Sequence, residues 1–142
     1  MAIVALVSFV GCKDSGGDPV AVTPPSDEAP ITKDDSVTAN AHMLRDALEE
    51  FALVNGGVYP IDNQSQLPDG RTIIDFLPGS ERLLNPFTYL RDSPVRGLAT
   101  HQGKVGHSIY INVPPYGYTI NAIGEDQGQD LIVIVKPVDP WS

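Results

Sequence analysis

One amphipathic segment, residues 36–55, constrains the fold of this chain more than any other feature. Its apolar residues recur at spacings of three and four, which places them on one stripe of a helix. That stripe consists of Val37, Ala41, Leu44, Leu48 and Phe51. Asp35 or Ser36 is suited to cap the start, and Asn55-Gly56-Gly57 supplies a left-handed stop. A helix with one apolar face needs a second layer to cover it.

Three strand-like runs near the C-terminus supply that layer. Residues 108–113 and 117–123 alternate between apolar and polar side chains, and residues 131–136 form a continuous apolar run of strand length. A pair of prolines and an acidic glycine turn, residues 124–129, separate them. Because short connections join antiparallel neighbours, the pattern predicts an α+β fold. One long N-terminal helix should pack on a three- to four-stranded antiparallel sheet.

The segment between the helix and these strands, residues 58–107, is rich in Pro, Gly, Asp and Asn. A connection of this length without any regular structure is unusual, so we expect short helical or strand pieces within it. Its apolar residues should pack against the sheet or the helix end. They are Ile73, Ile74, Phe76, Leu77, Leu83, Leu84, Phe87, Tyr89 and Leu90.

The N-terminus has the pattern of a secretory signal followed by a tether. Residues 1–11 are uncharged and mostly apolar, too short for the roughly 20 residues that span a bilayer but suited to a signal core. Residues 9–12 (FVGC) resemble the lipobox of bacterial lipoproteins. That resemblance implies lipid attachment at Cys12 and a membrane anchor; the alternative is an incidental free thiol. Residues 12–35, with four prolines and six acidic residues after the cysteine, are expected to be a disordered tether.

The globular part, residues 36–142, contains segments that resemble type IV pilins and type II secretion pseudopilins. The helix ends in residues 55–60 (NGGVYP), like the helix of that family. Residues 77–79 (LPG) with 84–88 (LNPFT) resemble the segment that follows it, and residues 116–120 (YGYTI) with the acidic turn resemble its C-terminal hairpin. The likeness covers about residues 36–136 and implies a pilin-like fold.

The family's long hydrophobic helix has no counterpart in this sequence, where the lipobox and tether stand instead. The resemblance therefore implies the globular head of the family without its filament shaft. We expect a non-catalytic lipoprotein of the bacterial cell envelope, periplasmic or at the cell surface. It would be a structural or docking component of a type II secretion or type IV pilus-like system. The alternative is a lipid-anchored module that binds a glycan or another ligand through residues 58–107 and the Tyr-rich strands.

Composition excludes several other classes of function. The chain has 18 acidic and 9 basic residues, which argues against binding nucleic acid through its phosphates. The single cysteine excludes an intrachain disulfide and a zinc site built on several thiolates. There is no nucleophile elbow, P-loop or dinucleotide fingerprint. Of the three histidines, His101 and His107 are expected to be solvated in a Gly-rich loop, and Glu49 and Glu50 to be solvated on the helix surface.

Two sets of residues remain as candidate sites. Glu125, Asp126 and Asp130 surround the last turn, and their oxygens suit calcium; the pseudopilin resemblance also implies a calcium site near the C-terminal loop. The alternative is a plain acidic hairpin turn. A second set of side chains could form an aromatic contact surface, although the strand propensity of tyrosine favours core packing. This set is Tyr110, Tyr116 and Tyr118, together with Tyr59.

Overall fold

The computed structural model describes residues 29–110 and 117–137. The chain divides into two units, Met1–Pro30 and Ile31–Ser142, and the second is the one described below. The predicted lipidation site Cys12 and the predicted contact residue Tyr116 lie outside the described residues. Within the described part, one α-helix and two β-sheets make the protein α+β.

Helix α1 spans Lys33–Val54 and begins earlier than its apolar stripe suggested. Thr32 is the N-cap: its hydroxyl accepts a hydrogen bond from the Asp35 backbone N–H at 3.0 Å. The Asp35 carboxylate in turn accepts one from the Thr32 backbone N–H at 2.8 Å. This reciprocal capping box satisfies two backbone donors. The prediction that Asp35 or Ser36 caps the helix is therefore wrong, as is the assignment of residues 33–35 to the disordered tether, because they are helical.

The other end of α1 stops where the sequence predicted. Gly56 and Gly57 have φ values of 66° and 88°, a left-handed conformation that costs glycine little. The Gly57 N–H donates to the Ala52 carbonyl at 2.8 Å. All five residues of the predicted stripe are buried. The helix therefore presents the expected apolar face to the rest of the fold.

The connection after the helix contains the expected short ordered pieces. Two 3₁₀ helices, Ile73–Phe76 and Pro78–Ser80, precede strand β1 (Leu83–Leu84) and strand β2 (Arg91–Asp92). Strands β1 and β2 pair with each other in an antiparallel two-stranded sheet.

The apolar residues of this connection divide into two groups. Ile73, Leu77 and Leu83 are buried in the core, and the Phe76 ring meets the Phe51 ring edge-on with centroids 5.6 Å apart. These contacts seal one end of the helix face. The expectation of core packing is wrong for three residues, which are exposed: Leu84, Tyr89 and Leu90.

The larger sheet contains four strands in the order β3-β4-β5-β6. Their bounds are Val95–Arg96, Val105–Tyr110, Gly117–Ala122 and Ile132–Lys136. The pairs β4/β5 and β5/β6 are antiparallel, as predicted. Side chains on the inner face of β5, including Ile120 and Ala122, are fully buried in one core with the stripe of α1.

Strand β3 departs from the antiparallel prediction, because it pairs with β4 in parallel. Two parallel strands need a connection that returns the chain from the end of the first strand to the same end of the sheet where that strand began. Residues 97–104 form this connection between β3 and β4. We call this segment the arch. The Gly97 N–H donates to the His107 carbonyl at 2.8 Å, and at its far end the Gly103 N–H donates to the Ile123 carbonyl at 2.7 Å.

The arch covers part of the outer face of the sheet, the face turned away from α1. The side-chain oxygen of Asn121 on β5 accepts a hydrogen bond from the Ala99 N–H at 2.7 Å, and its amide group donates to the Ala99 carbonyl at 3.0 Å. Asn121 is only 1% exposed. Its side chain thus pairs with the arch backbone as a neighbouring strand would.

The substitution Gly106→Ala should destabilise the fold. A Cβ at this position would lie 2.4 Å from both the Ala99 nitrogen and the Gly97 oxygen of the arch, so the backbone must shift. Overpacking of this kind costs roughly 1–3 kcal/mol, and contact with backbone places the loss at the upper end. Urea unfolding measures it. Ser108→Ala, on the same face of β4, is the control and should change stability by less than about 0.5 kcal/mol; equal stability of the two variants would contradict the packing described.

Candidate functional site

The predicted calcium residues lie in the turn between β5 and β6, where other groups already engage the carboxylates of Asp126 and Asp130. Asp126 accepts hydrogen bonds from the Gly128 N–H at 2.8 Å and from the Gln129 side chain at 3.1 Å. Asp130 accepts one from the Asn121 amide at 2.6 Å. No three His, Cys, Asp or Glu side chains of the described residues are grouped to hold a metal ion. Calcium binding by Glu125, Asp126 and Asp130 stays a prediction.

The structure does not bring Tyr110 and Tyr118 together on one surface. Tyr118 lies opposite Ile109 and therefore on the inner face, whereas Tyr110 lies opposite Gly117 on the outer face. Tyr118 is 2% exposed, so its assignment to a contact surface is wrong and core packing holds. Tyr110 is half exposed, and its hydroxyl hydrogen-bonds to the Thr119 hydroxyl.

A polar cluster that sequence reasoning missed lies where the end of α1 meets the sheet. It consists of Glu49, Tyr59, Tyr118 and Lys136, and we call it the Glu49 cluster. The Glu49 carboxylate accepts hydrogen bonds from the Tyr118 hydroxyl at 2.7 Å and from the Tyr59 hydroxyl at 3.2 Å. The Lys136 ammonium lies 2.9 Å from the same carboxylate and donates to the Tyr59 oxygen at 2.6 Å. Glu49 is thus not the solvated surface carboxylate that the sequence predicted.

The groups of the Glu49 cluster shift one another's protonation. Burial acts to raise the pKa of Glu49, but hydrogen bonds from Tyr118 and Lys136 and the charge of Lys136 outweigh it, so the pKa is lowered. Burial and the hydrogen bond to Glu49 raise the pKa of Tyr118. The hydrogen bond to Tyr59 raises the pKa of Lys136 despite partial burial. All three shifts favour an ion pair bridged by two neutral phenols.

This arrangement is suited to holding segments together. It joins the last turns of α1, the turn that follows the helix, β5 and β6, and every hydroxyl and charge in it has a partner. The Tyr59 and Tyr118 rings pack edge-on with centroids 5.2 Å apart. The signal available in the sequence was the tyrosine of the NGGVYP turn together with a lysine that ends an apolar strand.

Replacing Glu49 with Gln should lower stability by about 1 kcal/mol at neutral pH, because hydrogen bonds to a charged group are lost at a half-exposed site. Since folding lowers the pKa of Glu49, its charged carboxylate stabilises the fold fully at pH values above the unfolded pKa, about 4.3. This stabilisation is lost as the pH falls through the folded pKa. Urea unfolding of wild type and Glu49→Gln at pH 7 and pH 3.5 measures this. Their difference should shrink at the lower pH. The control Glu50→Gln, at the exposed neighbouring carboxylate, should match wild type at both.

His107 also departs from its prediction, because it lies in β4 and is fully buried. Neither ring nitrogen makes a hydrogen bond to a described residue. Burial lowers the pKa of His107, opposed by the charge of Asp62 and by the Pro60 carbonyl, which approaches the ring without meeting hydrogen-bond geometry. The imidazole is therefore neutral at pH 7 and offers one donor and one acceptor. Buried polar groups without partners are rare enough to require an explanation.

His107 borders a cleft of about 340 Å³, which we call the Arg96 cleft. Register places Arg96 of β3 opposite His107 of β4, so both side chains lie on the same face of the sheet. The lining residues are Ile61, Arg96, Gly97, His107, Ser108 and Ile109. The cleft thus combines one guanidinium, one buried imidazole and two apolar walls.

The outer face of the sheet is open beyond the arch. On β6, the edge strand of the order β3-β4-β5-β6, Val133 and Val135 are 49% and 56% exposed. Thr119 lies opposite Val135 on β5, and Tyr110 lies beside Thr119 through their hydrogen bond. We call Tyr110, Thr119, Val133 and Val135 the open face. It is a partly apolar surface next to a strand edge.

No family model, curated protein or solved structure matches the chain significantly. Among the described residues, none of the helices combines the length and apolarity needed to cross a bilayer.

Proposed function

We propose that this chain is a non-catalytic, lipid-anchored protein of the bacterial cell envelope whose head docks onto other proteins of a type II secretion or type IV pilus-like system. Cys12 would carry the lipid, the tether would hold the head away from the membrane, and the head would make the protein contacts. The motif order in residues 36–136 supports a pilin-like head. The α+β architecture is compatible with this.

The open face is the observation that carries the docking proposal. Two exposed valines on an edge strand, beside a half-exposed tyrosine, form an apolar surface of the kind that marks protein contacts. The edge strand also offers backbone groups to a strand of a partner. Residues 36–142 contain 12 acidic and 7 basic residues, so the acidic head favours a partner that surrounds an apolar centre with Lys and Arg.

In-cell photo-cross-linking tests this role. A photoreactive amino acid at Val135 of the full-length protein should capture pilus or secretion components, identified by mass spectrometry. The control position is Asp46, exposed on α1 at the opposite side of the sheet, and it should capture none of them. Equal recovery of pilus or secretion components from both positions, or recovery of none from Val135, would contradict docking through the open face.

The anchor has its own test. Replacing Cys12 with Ala removes the thiol that the lipid needs, so the protein should move from the membrane fraction to the soluble fraction. Immunoblots of fractionated cells measure this distribution. A Cys12→Ala protein that remains in the membrane fraction contradicts lipid anchoring at this residue.

A second function, binding of a small ligand, is favoured by the Arg96 cleft. The cleft opens beside the turn that ends α1, and a buried imidazole borders it. No Phe, Tyr or Trp lines the Arg96 cleft, so this cleft does not offer the aromatic stacking that a glycan uses.

A further inference from the structure

We propose that the Arg96 cleft binds a carboxylate carried on a small apolar group. Three independent features converge there: a guanidinium open to solvent, a buried imidazole that makes no hydrogen bond to a described residue, and two isoleucine side chains. The inference does not rest on the docking role, because none of the residues that line the cleft belongs to the open face.

Arg96 supplies the charge. Its side chain is 70% exposed, and the nearest carboxylate, on Asp62, lies 4.0 Å away. The Oδ1 atom of that carboxylate accepts hydrogen bonds from the Gln64 N–H at 3.0 Å and from the Ser65 hydroxyl at 3.1 Å, and its Oδ2 atom, 4.0 Å from Arg96, is beyond hydrogen-bond distance. Among the described residues, no acceptor hydrogen-bonds to the guanidinium. Its planar donors are therefore free to bind an incoming carboxylate in the bidentate geometry that arginine favours.

His107 supplies the second polar contact. Its ring is fully buried, borders the cleft and has no hydrogen bond to a described residue on either nitrogen. A neutral imidazole donates through one nitrogen. Because neither ring nitrogen is exposed, the ring must turn toward the cleft for a carboxylate held by Arg96, opposite His107 in the strand register, to accept from that donor and relieve an unpaired buried group. This makes the site specific for an acid over its amide.

The rest of the cleft sets the size and polarity of the ligand. Ile61, which is 42% exposed, and the partly buried Ile109 line it, so the group that bears the carboxylate should be apolar. The volume of about 340 Å³ is at the small end for ligand sites. Two sources carry this chemistry: a free short-chain carboxylic acid, and the C-terminus of a peptide that ends in an apolar residue.

Binding can be measured on the full chain by NMR, from the shifts of the His107 ring nitrogens. The probes are 3-methylbutanoate and the peptide acetyl-Ala-Ala-Val with a free C-terminus. Each is compared with the corresponding amide. The acid form of at least one pair should shift the His107 signals and bind at least tenfold more tightly than its amide. Tighter binding of the peptide would identify a chain terminus as the source, and tighter binding of 3-methylbutanoate a free acid.

Arg96→Gln provides the mutational arm, since an exposed side chain can be replaced without unfolding the protein. It should weaken binding of the acid at least tenfold and leave the melting temperature unchanged. Arg82→Gln is the matched control, because it removes the same charge from an exposed residue outside the cleft, and it should change affinity less than twofold. Equal losses in both variants, equal binding of acid and amide, or unmoved His107 signals with all four probes would overturn the proposal.

Discussion

The fold depends on the contact between the apolar stripe of α1 and the inner face of β5. Leu44, Leu48 and Phe51 on the helix are at most 1% exposed, as are Ile120 and Ala122 on the strand. Such side chains lose most of their accessible surface on folding, each stabilising the structure by roughly 1.5–3 kcal/mol when large. Several elements take their position from this layer: the 3₁₀ helices seal its margin, and β4 and β6 flank β5.

Buried amides then fix what the apolar layer leaves undetermined. Asn121 binds the arch backbone in both directions, which holds that segment on the sheet. Asn85, which is 1% exposed, donates to the Gln102 carbonyl at 3.0 Å and accepts from the Phe87 N–H at 2.9 Å. A satisfied buried amide tolerates few alternative arrangements, since each unmade bond leaves a costly group. Asn121 and Asn85 therefore favour one conformation for the irregular segments that they bind.

The sequence predicted features whose cause is local and missed those that depend on distant contacts. The stripe of α1, its glycine stop and the two antiparallel pairings follow from periodicity and short connections, and they are confirmed. The parallel pairing of β3 does not, because it depends on an arch held by Asn121 from another strand. Glu49 was missed because its partners on β5 and β6 are remote in sequence. His107 was misplaced because a flanking glycine suggested a loop, whereas Gly106 serves close packing under the arch.

The start of α1 has a mechanical consequence. The N–H of Glu125, in the turn after β5, donates to the Asp34 carboxylate at 2.8 Å, and Thr32 is closed by its capping box. Tension applied to the chain ahead of Thr32 therefore does not peel the helix one turn at a time. It is shared at once between the helix axis and the β5–β6 turn. A head joined in this way resists pulling as a unit.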